Sequence, residues 1–531
     1  MDKNIKKINA RTITLTIIFV LILVVIALLI GKFSYSYLAP TVSDDVEGVG
    51  EVTASGDTII FTKGNTLSLS ATTDNFKTNG ENLTATTNPK VKLMASSKTE
   101  SASSKYFAGV IIKNNTYSYT TTDKKPEVIL TVKDENGNIV ESSADNLTFV
   151  TVNDNLKGFD ITGVNGAFNI VTDHVIATSS NKSEVIHTWT FTLTFVNLGT
   201  DQSNNDNSTL NIEVVLQKDK IPTTIAEVCS NNDKLSDCII NFYEKLGLLY
   251  HHDLSLLTGA GDNSYRYAGA NPDNYVCFGS DDATCPSDNL YRIIGVFDGK
   301  VKLIKYDYAN SNLLGTDGDY SSGTYSKNNF LTYKGSLTTI DRYYWNYNND
   351  PSINYGLGSN EWSTSLLNTI NLNTNYLNNL GTTWSNMIED TVWKVSGYNT
   401  GEVIAKTFYA REITNATKTV TAKIGLMYPS DYGFAADSSA WTTTLHNYSE
   451  KVNGTIIRLI NWMHMGLDEW TISPVSSFVN YVFFVYDYGH LHYNGSNATA
   501  GYAVRPIFYL KDSVKRTGGS GTSDNPIRIS L

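Results

Sequence analysis

The stretch ITLTIIFVLILVVIALLI, residues 13–30, holds eighteen positions without a charge, and nothing else in the chain limits its fate so strongly. Fifteen of them are Ile, Leu, Val or Phe. At a rise of about 1.5 Å per residue, a helix of this length covers most of the roughly 30 Å hydrocarbon core of a bilayer. Each such side chain contributes up to about 0.6 kcal/mol near the bilayer centre, so insertion is expected to be favourable. Lys3, Lys6, Lys7 and Arg11 precede the run, whereas only Lys32 follows it before Asp44, Asp45, Glu47 and Glu51. That asymmetry keeps the N-terminus in the cytoplasm. The expected plan is a cytoplasmic stub over residues 1–11, a transmembrane signal anchor over 12–32, and an ectodomain beyond. The alternative is a cleaved signal peptide, whose apolar core normally runs about 7–15 residues. It fits poorly, because Tyr37 stands where a small residue should precede a cut after Ala39.

The formal net charge is −11; residues 1–40 carry five basic side chains and one acidic one, which leaves −15 on the remaining 491. No Lys/Arg-rich stretch occurs outside the anchor flank, so a nucleic acid is not an expected partner: phosphate neutralisation needs a basic footprint. A lipid bilayer, met through the N-terminal helix, is. No second apolar span and no cell-wall sorting signal occurs near residue 531, so the tether is expected at one end. The cysteines Cys229, Cys238, Cys277 and Cys285 all fall in the expected ectodomain, where an even number reads as disulfides. Two close pairs, Cys229 with Cys238 and Cys277 with Cys285, are the economical arrangement.

Strand-like alternation recurs and Pro is scarce, so the fold class is mostly β, with an α+β C-terminal part, preceded by one transmembrane helix. Residues 41–220 are expected to form a β-sandwich (Ig-like) stalk. Its clearest strand is TWTFTLTF (188–195), with Trp189, Phe191, Leu193 and Phe195 on one face and threonines on the other. Asn136-Gly137 and Asn165-Gly166 read as hairpin turns of the type that needs positive φ at both central residues. TIIFTKGNTLSLSA (58–71) and FAGVIIKNNTYSYTT (107–121) read as further strand pairs. Residues 221–289 are expected as a helical, disulfide-stapled connector: Leu235, Ile239, Phe242 and Leu246 recur at helical spacing and Gly247 can stop the helix. Residues 290–531 form the head. It opens on a hairpin turning at Asp298-Gly299. A helix follows, with Ser363 as N-cap and Leu366, Ile370 and Leu377 on one stripe. Strands end it.

In that head, YRIIGVFDGKVKLIK (291–305), IGLMYPSDYGFA (424–435), EWTISP (469–474), AVRPIFYLK (503–511) and GGSGTSDNP (518–526) together resemble C-terminal modules of uncharacterised surface proteins from Gram-positive gut bacteria. Those modules are similar to the C-type-lectin-like fold of the formylglycine-generating-enzyme group, and the resemblance covers roughly residues 245–531. It implies that the first and last strands of the head pair, bringing YRIIGVF beside AVRPIFYL. The oxidase chemistry of that group depends on a cysteine pair in the C-terminal half, and no cysteine follows Cys285. The calcium-binding triplets of carbohydrate-binding lectins are also missing. More distantly, TWTFTLTFVNLGTDQ (188–202) is similar to sandwich proteins of biofilm matrices and spore-former surfaces.

Other chemical signals are sparse. His490 and His492 share a strand face and could begin a metal site, but no third ligand is evident nearby apart from Asp487; solvated strand histidines are the plainer reading. Asp/Asn/Gly loops such as 312–319 leave calcium open without the spaced ligands of an EF-hand, and no other cofactor is expected. Thirty-two Tyr and eight Trp, several in polar loop-like runs such as VYDYGHLHY (485–493), suit a surface that recognises a glycan or a protein. The expectation is therefore a membrane-anchored bacterial cell-surface protein with a non-catalytic adhesion or recognition head. Its rivals are a diverged extracellular enzyme of the same fold and a structural fibre subunit. The resemblance places the recognition surface just before the last strand: Trp462, Glu469, Trp470, Tyr486, Asp487, His490, His492 and Tyr493, with the two tryptophans as core candidates and Arg505 in a structural pairing.

Overall fold

The computed structural model describes residues 49–531 except 53–55, 72–79, 98–100, 327–332, 348–357, 453–454, 494–498 and the single positions 114, 182, 207 and 245. The expected stub and anchor, residues 1–11 and 12–32, lie outside the described residues; among those described, no helix is long and apolar enough to cross a membrane. The described chain is mostly β.

Two compact units emerge. One combines, of the described residues, three separated stretches, 49–64, 89–105 and 175–188. Its sheet is antiparallel in the order Val49–Val52, Thr58–Thr62, Lys90–Met94, Glu184–Thr188. Ile59, Val91 and Leu93 are buried, and Asp57 accepts a hydrogen bond from the Ser96 N–H at 2.8 Å.

The other unit holds Asn65–Asn88, Tyr106–His174 and Trp189–Leu531. Its first part holds two sheets, except that residues 103–105 and 175–177 of their strands are counted in the other unit. One runs Gly166–Ala177, Ser103–Lys113, Thr209–Gln217, Leu67–Ser70; the other runs Leu83–Thr87, Thr190–Phe195, Val128–Lys133, Leu156–Asp160, Phe149–Asn153. The alternation in 188–195 does its work here. Trp189, Phe191, Leu193 and Phe195 are fully buried, each contributing roughly 1.5–3 kcal/mol or more. The Trp189 indole N–H donates to the Tyr106 hydroxyl at 2.8 Å, tying the sheets together.

Two expected strand pairs are absent. Thr58–Thr62 pairs within the first unit while Leu67–Ser70 pairs with Thr209–Gln217, so residues 58–71 change sheets and do not fold back. After Ser103–Lys113 the chain runs irregularly, held by the Asn115 side-chain amide, which donates to the carbonyls of Ile161 and Val164. The expected turn type fails too: Gly137 and Gly166 have positive φ, but Asn136 and Asn165 do not. The Asp134 carboxylate organises the first turn by accepting from the N–H groups of Asn136 and Asn138.

In the C-terminal part, the segment expected as a connector supplies strands to the head's own sheet. The order is Leu249–His252, Ser264–Tyr267, Leu290–Phe297, Lys300–Lys305, Ile507–Tyr509, with Tyr275–Cys277 also paired to Leu290–Phe297. Lys300–Lys305 lies between Leu290–Phe297 and Ile507–Tyr509, so the expected direct pairing of YRIIGVF with AVRPIFYL is replaced by a one-strand offset. Asp298 and Gly299 both have positive φ at the tight turn. Leu235, Ile239, Phe242 and Leu246 are buried and Gly247, at φ 63°, follows them. The helical stretch Leu367–Tyr376 winds in π fashion, which rotates its buried side to Leu367, Leu372 and Tyr376 and leaves Leu366 exposed. The Ser365 hydroxyl, not that of Ser363, accepts from the Asn368 N–H at its start.

The C-terminal hairpin, Lys515–Gly518 with Arg528–Ser530, closes the sheet's far side. The Asn232 and Leu235 N–H groups donate to the carbonyls of Arg516 and Val514 at 2.7 and 2.9 Å, and Cys277 and Ile527 are joined through the Cys277 N–H at 3.0 Å. The disulfides are Cys229–Cys238 and Cys277–Cys285, with Cα separations of 5.4 and 5.8 Å, the pairing that close spacing implies.

Candidate functional site

Glu469–Pro474, Val482–Val485 and Leu491–His492 form a three-stranded antiparallel sheet. All four residues of Val482–Val485 are buried, so this strand is an apolar rod that carries the next turn outward. In that turn the Tyr486 N–H donates to the His490 carbonyl at 2.9 Å and the Gly489 N–H to the Tyr486 carbonyl at 2.7 Å. Gly489 has φ 95°, and a Cβ there would lie 2.5 Å from the Arg458 Cβ, so both conformation and space require glycine. The turn presents rings. Tyr486 and Tyr488 stack at 5.7 Å, Tyr486 lies 4.9 Å from His490 and 6.0 Å from His492, and Tyr488 is 57% exposed. Tyr493 sits edge-on to Phe483 at 5.3 Å.

A third histidine joins this pair from a distant part of the chain. His446 lies in the 3₁₀ turn Leu445–Asn447, which buried Leu445 pins and which the His446 N–H fastens to the Gly401 carbonyl at 3.0 Å. Its ring centroid is 5.6 Å from that of His490 and 6.3 Å from that of His492, and the latter two are 5.6 Å apart. Among the described residues, the Nδ1 atoms of His490 and His492 are buried without a hydrogen-bond partner. Burial, then the neighbouring imidazoles, pushes His490 down to about 4, and His492 is lowered for the same reasons.

Asp487 turns inward. Its N–H donates to the Asp468 carboxylate at 3.0 Å, and its carbonyl faces His464 Nε2 at 3.0 Å, which places a proton on that nitrogen. Its Oδ1 is buried without a partner, and burial raises its carboxyl above the usual range. Burial likewise takes Asp468 up to about 6.

Three expected site residues are not on this surface. Trp462 and Trp470 are buried, with indole N–H groups donating to the Tyr267 and Tyr343 carbonyls at 3.1 and 2.8 Å. Glu469 is 2% exposed and is gripped by Arg505, whose Nε and Nη2 donate at 2.7 and 2.9 Å. A carboxylate so enclosed serves the core and reaches no ligand. In the 312–319 loop, buried Asp319 accepts from the Tyr347 and Leu367 N–H groups, both at 2.9 Å, and exposed Asp317 accepts from Asn375 at 2.6 Å. Its carboxylates organise the following helix and do not converge on a cation. His446 and Tyr488 were not among the expected site residues. Tyr488 stands within VYDYGHLHY and could have been included, whereas nothing in the letters links His446 to a strand more than forty positions later.

A cavity of about 450 Å³ is lined by Lys113, Asn115, Tyr243, Tyr250, Tyr267 and Asp273, among others. Two of its polar groups are engaged, while the Tyr267 hydroxyl is buried without a hydrogen-bond partner. Lys113 pairs with Glu213 at 3.1 Å, and Tyr243 donates to the Ser520 carbonyl at 3.2 Å. The 486–493 surface combines the exposed Tyr488 ring and half-buried Tyr486, His490, His492 and Tyr493 with unpartnered polar atoms. No protein-family model, curated protein or solved structure matches this chain.

Proposed function

We propose that this is a membrane-anchored bacterial cell-surface protein, with an Ig-like β-sandwich stalk and a C-type-lectin-like head that recognises a surface glycan or protein without catalysing a reaction. The observation that carries the reading is the ring cluster of Tyr486, Tyr488, His490 and His492 at the tip of a buried hairpin, stacked and partly exposed. Aromatic side chains with polar tips offer large contact area at small entropic cost, and the rigid strand beneath them keeps that cost low. The anchor supplies the location: the apolar run and its basic flank support a bilayer-tethered chain facing outward.

The test is a glycan and host-protein array probed with the full-length chain in detergent. Tyr488→Ala is expected to weaken binding to whatever the array captures by at least about tenfold, as loss of an interface aromatic commonly does. The exposed Val392, on the strand Thr391–Lys394, is the control and Val392→Ala should bind as the parent does. Captured ligand that both variants bind equally would move the site away from this turn.

A further inference from the structure

We propose that His446, His490 and His492 form a three-imidazole site for a divalent transition cation of the zinc class, with a fourth position left open to an oxygen of the bound ligand. The inference deepens the recognition reading and rests on it for its purpose, but the ion is assayed with no ligand present.

The spacing is the first argument. A zinc–nitrogen bond of about 2.0–2.1 Å puts an imidazole centroid roughly 3.2 Å from the ion, and tetrahedral angles then separate centroids by about 5.2 Å. The three observed separations are 5.6, 5.6 and 6.3 Å. The rings must close by roughly 0.4–1.1 Å to meet that ideal. Their donor atoms are not yet gathered within 4.8 Å of one another, so the ion must draw one ring inward. His446 is the member free to move, since it is exposed on its turn while His490 and His492 are half-buried.

The orphaned nitrogens are the second argument. A buried polar atom without a partner costs about 1–3 kcal/mol, and folded proteins rarely carry two side by side without a use for them. The Nδ1 atoms of His490 and His492, on rings whose centroids lie 5.6 Å apart, are both without a partner, and a bound ion would supply one. The backbone is prepared for it. The Tyr486–Gly489 turn and the Leu445–Asn447 turn are both fixed by hydrogen bonds, so binding would order little beyond the His446 side chain. Arg458, a cation beside this turn, lies over the Tyr488 ring at 5.9 Å, with its Nε buried without a hydrogen-bond partner. Three imidazole nitrogens with one open position suit zinc-type ions better than calcium, which takes oxygen ligands.

The experiment uses the full-length chain without a polyhistidine tag, stripped by a chelator, then titrated with Zn²⁺ against a chromophoric chelator and separately with Co²⁺. One ion per chain is expected, with the strong visible absorption of four-coordinate cobalt. His446→Ala, a change at an exposed position, should fold normally and weaken zinc binding by at least about tenfold, since even outer-shell losses cost about that much. His251→Ala should bind zinc as the parent does. Zinc affinity unchanged in His446→Ala, a six-coordinate cobalt spectrum, or no saturable binding would each overturn the site. If zinc binds as described but Tyr488→Ala leaves array binding intact, the metal site stands and the recognition surface is misplaced. If array binding depends on Tyr488 but zinc does not bind, the reverse holds.

Discussion

Two buried carboxylates of the head, Glu469 and Glu412, are held differently. Glu469 and Arg505 face each other in full burial through two hydrogen bonds, so each ion has a partner and removing either would strand the other. Glu412 forms no salt bridge among the described residues. It accepts from the Ser430 N–H at 3.0 Å and the Ser473 hydroxyl at 2.7 Å, and burial pushes its carboxyl from 4.5 up to about 7. The native state therefore holds this proton more tightly than the unfolded chain. The stability it contributes is fully present below about pH 4.5 and is lost as pH rises through about 7. Glu412→Gln should flatten that dependence, by as much as about 3 kcal/mol between pH 5 and 8. Urea unfolding of parent and variant at the two pH values checks it; parallel losses in both would assign the effect to another group.

Among the elements, periodicity identified faces better than partners. The Trp189–Phe195 alternation and the Asp298-Gly299 turn were legible because local stereochemistry dictates them: a half-buried strand needs a period of two, and a two-residue turn needs tolerance of positive φ. Which strand lies beside which was not legible in residues 58–71, because the same alternation serves a hairpin or a crossover between sheets. The 366/370/377 stripe failed for a different reason, since π winding spends an extra residue per turn and shifts the buried face to Leu367, Leu372 and Tyr376. The candidate site divides the same way. Its tyrosine and histidine run was visible, while the proximity of His446 and the burial of Glu469 and Trp470 are tertiary facts. Gly489 gives the turn its own test. Gly489→Ala forces a strained φ and a collision with Arg458, and should cost about 1–3 kcal/mol. It should also loosen the Tyr486–His492 surface. Thermal unfolding combined with array binding reads both; full retention of each would show that the turn tolerates a side chain.

For the whole molecule, the anchored-outward reading predicts that protease added to intact cells removes the acidic region beyond Lys32, while the stub before the apolar run survives. Complete protection of the chain would reverse the orientation. Within the head, the hydrogen bonds joining Asn232 and Leu235 to Arg516 and Val514, and Cys277 to Ile527, connect segments roughly 250–280 positions apart. Closing a loop that long costs only slightly more entropy than closing a shorter one, but the search is slow, and such topologies refold late. The head is therefore a structure whose beginning waits for its end. Until residues 515–531 arrive, the strand Tyr275–Cys277 and its neighbours stand with hydrogen-bonding groups unclaimed, a template for pairing with other chains. Copies kept apart during that interval are therefore expected to give a higher yield of folded chain than copies that meet before residues 515–531 have paired.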